Sequence, residues 1–229
     1  MTRWMWISLA IVAAMFVGSA LASTVWLDKF PERVPIHWNI RGEADGFASR
    51  DQTFVVFYLL PTMSLGLLAL AVVLPWLSPL RFKIEPFRRT YDYVFALCFG
   101  LFAWIHTFLL ISAANGGSGI RFMLAGMFLF FALIGNVLGK VRKNFWMGVR
   151  TPWTLASDVV WEKTHRLAAW LFVAAGLIGF VASLCGLSPY WCFGLLMIAA
   201  FAPIFYSLAL YKRLEKKGLL NLPSSEQTE

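Results

Sequence analysis

Charged side chains are scarce in this chain. Asp, Glu, Lys and Arg make up 14% of its 229 residues, while 59% are hydrophobic. A soluble domain carries roughly 25% charged residues. So large a deficit excludes an ordinary water-exposed surface and makes lipid the solvent for most of the protein. Six stretches hold no Asp, Glu, Lys or Arg: 4–27, 53–77, 93–114, 122–139, 167–187 and 190–211. Their lengths are 24, 25, 22, 18, 21 and 22 residues. A helix needs roughly 20 apolar residues to cross a hydrocarbon core of about 30 Å. Five stretches suffice outright, and the fourth must snorkel its flanks or thin the bilayer. The expectation is an all-α membrane protein with six transmembrane helices.

Other absences narrow the chemistry. The charge-free runs offer no carboxylate or lysine for ion coupling or proton relay. A small-solute transporter or channel is therefore the alternative reading, with His106, Asn136 and the kinking prolines Pro61 and Pro203 as its polar and hinge candidates. No His-Glu-x-x-His, Gly-x-Ser-x-Gly or paired intramembrane carboxylates occur, so no enzymatic activity is expected. Glu162-x-x-His165 is only half of a carboxylate-bridged metal motif, which needs two copies. Only three cysteines are present, Cys98, Cys185 and Cys192, all expected to pack as small apolar residues. A Cys185–Cys192 disulfide across the Ser188-Pro189 turn is the lesser reading. No metal or cofactor is expected, and no internal repeat stands out. Arg3, an apolar run and Ala20-Leu21-Ala22 imitate a signal peptide. The run continues through Trp26-Leu27, which favours a retained helix.

Charge is also lopsided. The segments on the side of the N-terminus hold 15 Lys and Arg, and those on the other side hold 5. Basic residues in short loops favour the cytoplasm, so both termini are expected inside a cytoplasmic membrane. The net charge of +8 is then a topology signal with attraction to membrane lipids, and direct nucleic-acid binding is discarded. The chain divides into 1–77, two spans with an outer loop at 28–52; 78–139, spans three and four; 140–211, an inner elbow with spans five and six; and 212–229, a cytoplasmic tail. Gly218 is the expected stop of the last helix, and the residues after it are expected to stay disordered.

Two loops are built rather than merely long. In the outer one, Pro31 and Pro35 forbid a regular helix, and 34–38 alternates like a short extended piece. Gly42 and Asp45-Gly46 are turn formers. The loop reads as a turn-rich cap gathering His37, Asn39, Arg41, Glu43 and Asp45. His37, Asn39, Gly42 and Asp45 are its candidate binding residues, and Asn39 and Asp45 equally suit bonds to nearby backbone. In the inner loop, Pro152 suits a first helical position, with Thr151 or Thr154 as its cap. Ser157-Asp158 offers a second start, and Glu162 and Arg166 form an i, i+4 pair. Trp146, Trp153 and Trp161 suit the bilayer interface. The expectation is a short amphipathic helix on the membrane turning into span five, with plain anchoring as the minimal role.

The inner stretch "NFWMGVRTPWTLASDVVWEKTHRLAAWLF" resembles the signature of the SdpI-like family of bacterial multi-pass membrane proteins. The matching residues are Asn144, Phe145, Gly148, Val149, Arg150, Thr151, Pro152, Trp153, Thr154, Ser157, Asp158, Trp161, Thr164, His165 and Arg166. The outer loop is similar to the small domain that often precedes it, through Pro31, Val34, Pro35, His37, Asn39, Gly42, Asp45 and Gly46. The resemblance implies immunity to a secreted toxin peptide, and a receptor role in which a cytoplasmic repressor is held at the membrane. On that reading Arg150, Thr151, Pro152, Trp153, Trp161, His165 and Arg166 form the inner docking surface.

Overall fold

The computed structural model describes residues 2–39, 41, 43–80, 83–115 and 119–220. Among them, six helices are long and apolar enough to cross a membrane. They are α1 (Arg3–Thr24), α2 (Thr53–Val73), α3 (Arg88–Ala114), α4 (Ile120–Leu138), α6 (Asp158–Leu184) and α7 (Pro189–Lys216). A five-residue helix, α5 (Pro152–Ala156), precedes α6. No more than 33% of any apolar span window is buried in the protein, so most of each span faces outward. In water that would be untenable; in lipid it is the natural state of a helix apolar all round.

The helices form two groups of three. α1, α2 and α3 pack together, α4 packs on α6 and α6 on α7, and α3–α4 contacts join the groups. The α4–α6 seam rests on small residues. A Cβ on Gly135 would stand 2.7 Å from the Val173 backbone nitrogen, and one on Gly176 would stand 2.8 Å from the Ala132 Cα. Apolar side chains gain nothing from leaving lipid for one another, so close backbone approach supplies the cohesion. Inside the first group, Ser19 Oγ donates to the Phe57 carbonyl (2.8 Å) and lies 2.9 Å from His106 Nε2. His106 is thus a buried bridge among α1, α2 and α3.

Helix ends differ from the charge-free runs. α3 starts at Arg88, five residues before its run, and so carries Asp92 into the bundle, 1% exposed. The expectation of carboxylate-free spans is corrected there: Asp92 takes a bond from Thr2 Oγ1 (2.7 Å) and pairs with Arg88 (2.9 Å). α4 has 19 residues, barely more than its run. Pro61 and Pro203 sit buried inside α2 and α7. Gly218, φ 65, stops α7, with Leu219 N–H reaching the Leu214 carbonyl. The tail expected to be disordered, 221–229, lies outside the described residues. Cys98, Cys185 and Cys192 are free thiols; Cys185 is exposed at the end of α6 rather than packed, and Cys192 is buried.

The outer loop is a β-hairpin, a departure from the turn-rich cap. β1 (Arg33–Trp38) pairs antiparallel with β2 (Ala44–Ser49), with Val34 opposite Ala48 and His37 opposite Gly46. Asp45-Gly46 therefore lies in a strand and not in a turn. The register slips between Pro35 and His37, where proline cannot donate to a ladder. Buried Phe30 and Val34 seat the hairpin on Ala22, Phe57 and Ala113, at the ends of α1, α2 and α3. Trp38 adds an edge-on contact to Phe108, centroids 5.1 Å apart.

Candidate functional site

The elbow between α4 and α6 is densely hydrogen-bonded. It opens on Asn144, which is fully buried. Its Oδ1 accepts from the Trp146 and Met147 N–H groups (2.7 and 2.8 Å), and its Nδ2 donates to the Arg142 and Met147 carbonyls (2.9 and 3.0 Å). One side chain thus closes a loop that no regular ladder could. Thr151 and Thr154 cap α5 reciprocally, with Pro152 at its first position, as the sequence predicts. Thr154 Oγ1 donates back to the Val149 carbonyl (2.8 Å), and Thr151 Oγ1 lies 3.0 Å from Ser207 Oγ on α7. Ser157 then caps α6.

His165 pins the elbow to α6. Its Nδ1 lies 2.8 Å from the Trp161 carbonyl, and its Nε2 takes the Val149 N–H at 3.0 Å. A carbonyl can only accept, so Nδ1 carries the proton and Nε2 presents its lone pair. The Trp161 ring stacks on the imidazole, centroids 4.0 Å apart, and its Nε1 donates to the Val141 carbonyl (2.8 Å). Gly148 passes over the imidazole at φ 103, a backbone conformation that side chains disfavour. A Cβ there would collide with His165 Nε2. Ile84, Phe87, Tyr91 and Val141 complete the packing around Trp161, linking the elbow to the start of α3.

The predicted inner set therefore divides. Thr151, Trp161 and His165 are 7%, 4% and 1% exposed; they hold the surface up and do not form it. The placement of Trp161 at the bilayer interface is corrected by the same burial. Arg150, Pro152 and Arg166 are exposed and Trp153 is half-buried. Arg150 Nη1 donates to the Phe145 carbonyl, and Arg166 pairs with Glu162 (2.7 Å). Both His165 ring nitrogens are already engaged, so the half-motif offers no open imidazole ligand. The expected amphipathic helix is only the five residues of α5, packed on α6 and α7. Asn144, Gly148 and Ser207 were missing from the predicted set. The signature resemblance already contained the first two, whereas nothing in the sequence marks Ser207.

At the opposite pole the hairpin tip is self-bonded. Asn39 Oδ1 accepts from the Arg41 and Glu43 N–H groups (2.9 and 3.1 Å), and its Nδ2 donates to Glu43 Oε2 (2.7 Å). Arg41 Nε reaches the same oxygen (3.1 Å). The Asn39 hydrogen bond, then the Arg41 charge, hold the Glu43 carboxyl below the usual carboxylate range. His37 Nδ1 lies 2.6 Å from Asp45 Oδ1, both side chains being substantially exposed. Asp45 thus bonds a side chain across the strands, and no bond from it to backbone occurs among the described residues. Gly42, predicted as part of this site, lies outside the described residues.

Six membrane-capable helices, a hairpin cap and a folded tryptophan–histidine elbow define a multi-pass membrane protein with one structured polar feature at each pole. Residues 140–207, the elbow with α6 and most of α7, match the SdpI/YfhL protein family. Residues 14–64 match a domain of unknown function, DUF1648, a region that spans the hairpin. The chain is 26% identical over 172 residues to Immunity protein SdpI of Bacillus subtilis (strain 168), covering 75% of this chain and 77% of that protein. No solved structure matches.

Proposed function

We propose that this protein is an immunity protein of the cytoplasmic membrane, protecting its host against a secreted toxin peptide. The similarity to Immunity protein SdpI over three quarters of both chains carries the reading. The charge bias, 15 basic residues against 5, supports a hairpin outside and an elbow inside. The hairpin then meets the peptide through the His37–Asp45 side and the Asn39–Glu43 tip. The elbow meets a cytoplasmic repressor through Arg150, Pro152, Trp153 and Arg166, with Thr151, Trp161 and His165 as support. The direct experiment deletes the gene in its host and grows the cells in supernatant from the host's own stationary culture. Loss of growth restored by the wild-type gene supports immunity; indifference to the deletion contradicts it. In the same cells, Arg150→Ala or Trp153→Ala is expected to abolish induction of the protein's own operon while membrane insertion stays normal. Wild-type induction in both variants reduces the elbow to an anchor.

A further inference from the structure

A polar cleft of about 620 Å³ lies between residues 139–143 and the first two turns of α6. Lys140, Arg142 and Lys143 line it, opposite Asp158, Trp161 and Glu162. Both carboxylates are already neutralised, Asp158 by Lys143 (2.5 Å) and Glu162 by Arg166 (2.7 Å). Lys140 and Arg142 have no ion pair among the described residues. The wall that carries them is fixed in shape: Trp161 Nε1 holds the Val141 carbonyl, and Asn144 Nδ2 holds the Arg142 carbonyl. Two uncompensated cations are therefore presented by a preorganised backbone beside an indole. Lys140 follows two residues after α4 ends at Leu138. An apolar span that crosses the hydrocarbon ends at head-group depth, so the cleft opens where phosphates lie.

We propose that this cleft holds the phosphate head group of an anionic glycerophospholipid, bound by Lys140 and Arg142. An acidic segment of a soluble protein would satisfy the same two charges, but the cleft's depth at the end of α4 favours lipid. The proposal needs the chain to span a membrane and does not need the immunity role.

Native mass spectrometry of the full chain in detergent, titrated with equal phosphatidylglycerol and phosphatidylcholine, tests it. The wild type is expected to retain the anionic lipid about thirtyfold more strongly, the factor given by two cations beside a charged head group. K140Q/R142Q is expected to bind the two lipids alike, K140R and R142K to keep the preference, and K216Q/K217Q, basic residues outside the cleft, to match wild type. Lack of preference in the wild type, or its survival in K140Q/R142Q, overturns the proposal. So does its loss in K216Q/K217Q, which would mean unspecific attraction. Displacement of the lipid by millimolar inorganic phosphate, or by a polyglutamate peptide, would assign the cleft to a free anion or a protein partner and equally overturn it.

Discussion

His165 gains its importance from two bonds that demand opposite things of one ring. Nδ1 must donate to its own helix while Nε2 accepts from Val149, so only one neutral tautomer serves. Gly148 makes room for that ring, and Gly148→Ala is expected to cost upwards of about 1 kcal/mol from the backbone alone. In a protein of this size that is roughly 2–4 °C of apparent melting temperature, measurable by tryptophan fluorescence in detergent; an unchanged midpoint would deny the pin. Trp161→Phe keeps the packing but orphans the buried Val141 carbonyl, at a cost of about 1–3 kcal/mol. The hairpin tip responds to acid. Because the folded Glu43 pKa is depressed, its contribution is complete at neutral pH and is lost as pH falls below the usual carboxylate range. The protection of the Arg41 and Glu43 amides, relative to intrinsic exchange at the same pH, is expected to fall there, and Asn39→Ala to lower it likewise at neutral pH.

At the level of elements, the α4–α6 seam is the tightest joint. Gly176→Leu would drive a side chain into the Ala132 and Phe128 backbone, so the two helices must separate. The expected outcome is a folded amount far below wild type by size-exclusion chromatography, whereas Gly194→Leu, which meets nothing within 4 Å, should be tolerated. The six spans were legible because charge-free runs of the right length have one physical solution in lipid. Their ends were not, since Asp92 can enter a helix once Arg88 neutralises it and Thr2 donates it a hydrogen bond. The second strand is not legible in the sequence: Ala44-Asp45-Gly46 has the composition of a turn, and only pairing with β1 makes it a strand. In the elbow, the Thr151 cap, Pro152 and the Ser157 start were all readable locally. That Trp161 points inward was not, because its partner carbonyl lies twenty residues away.

The whole molecule is an apolar bundle with two unlike polar ends. The hairpin is small, self-bonded and nearly neutral, and its core residues rest on α1, α2 and α3. The elbow is basic, buttressed from α3, α6 and α7, and opens beside the head-group cleft. Immunity with signalling requires these ends to face different compartments, since a peptide arriving from outside and a partner inside must not compete for one surface. The decisive measurement is labelling with a membrane-impermeant maleimide, starting from a variant in which Cys98, Cys185 and Cys192 are replaced by alanine. Arg41→Cys is expected to react in intact cells, and Arg150→Cys only after the membrane is permeabilised. Equal reaction of both in intact cells would contradict the account.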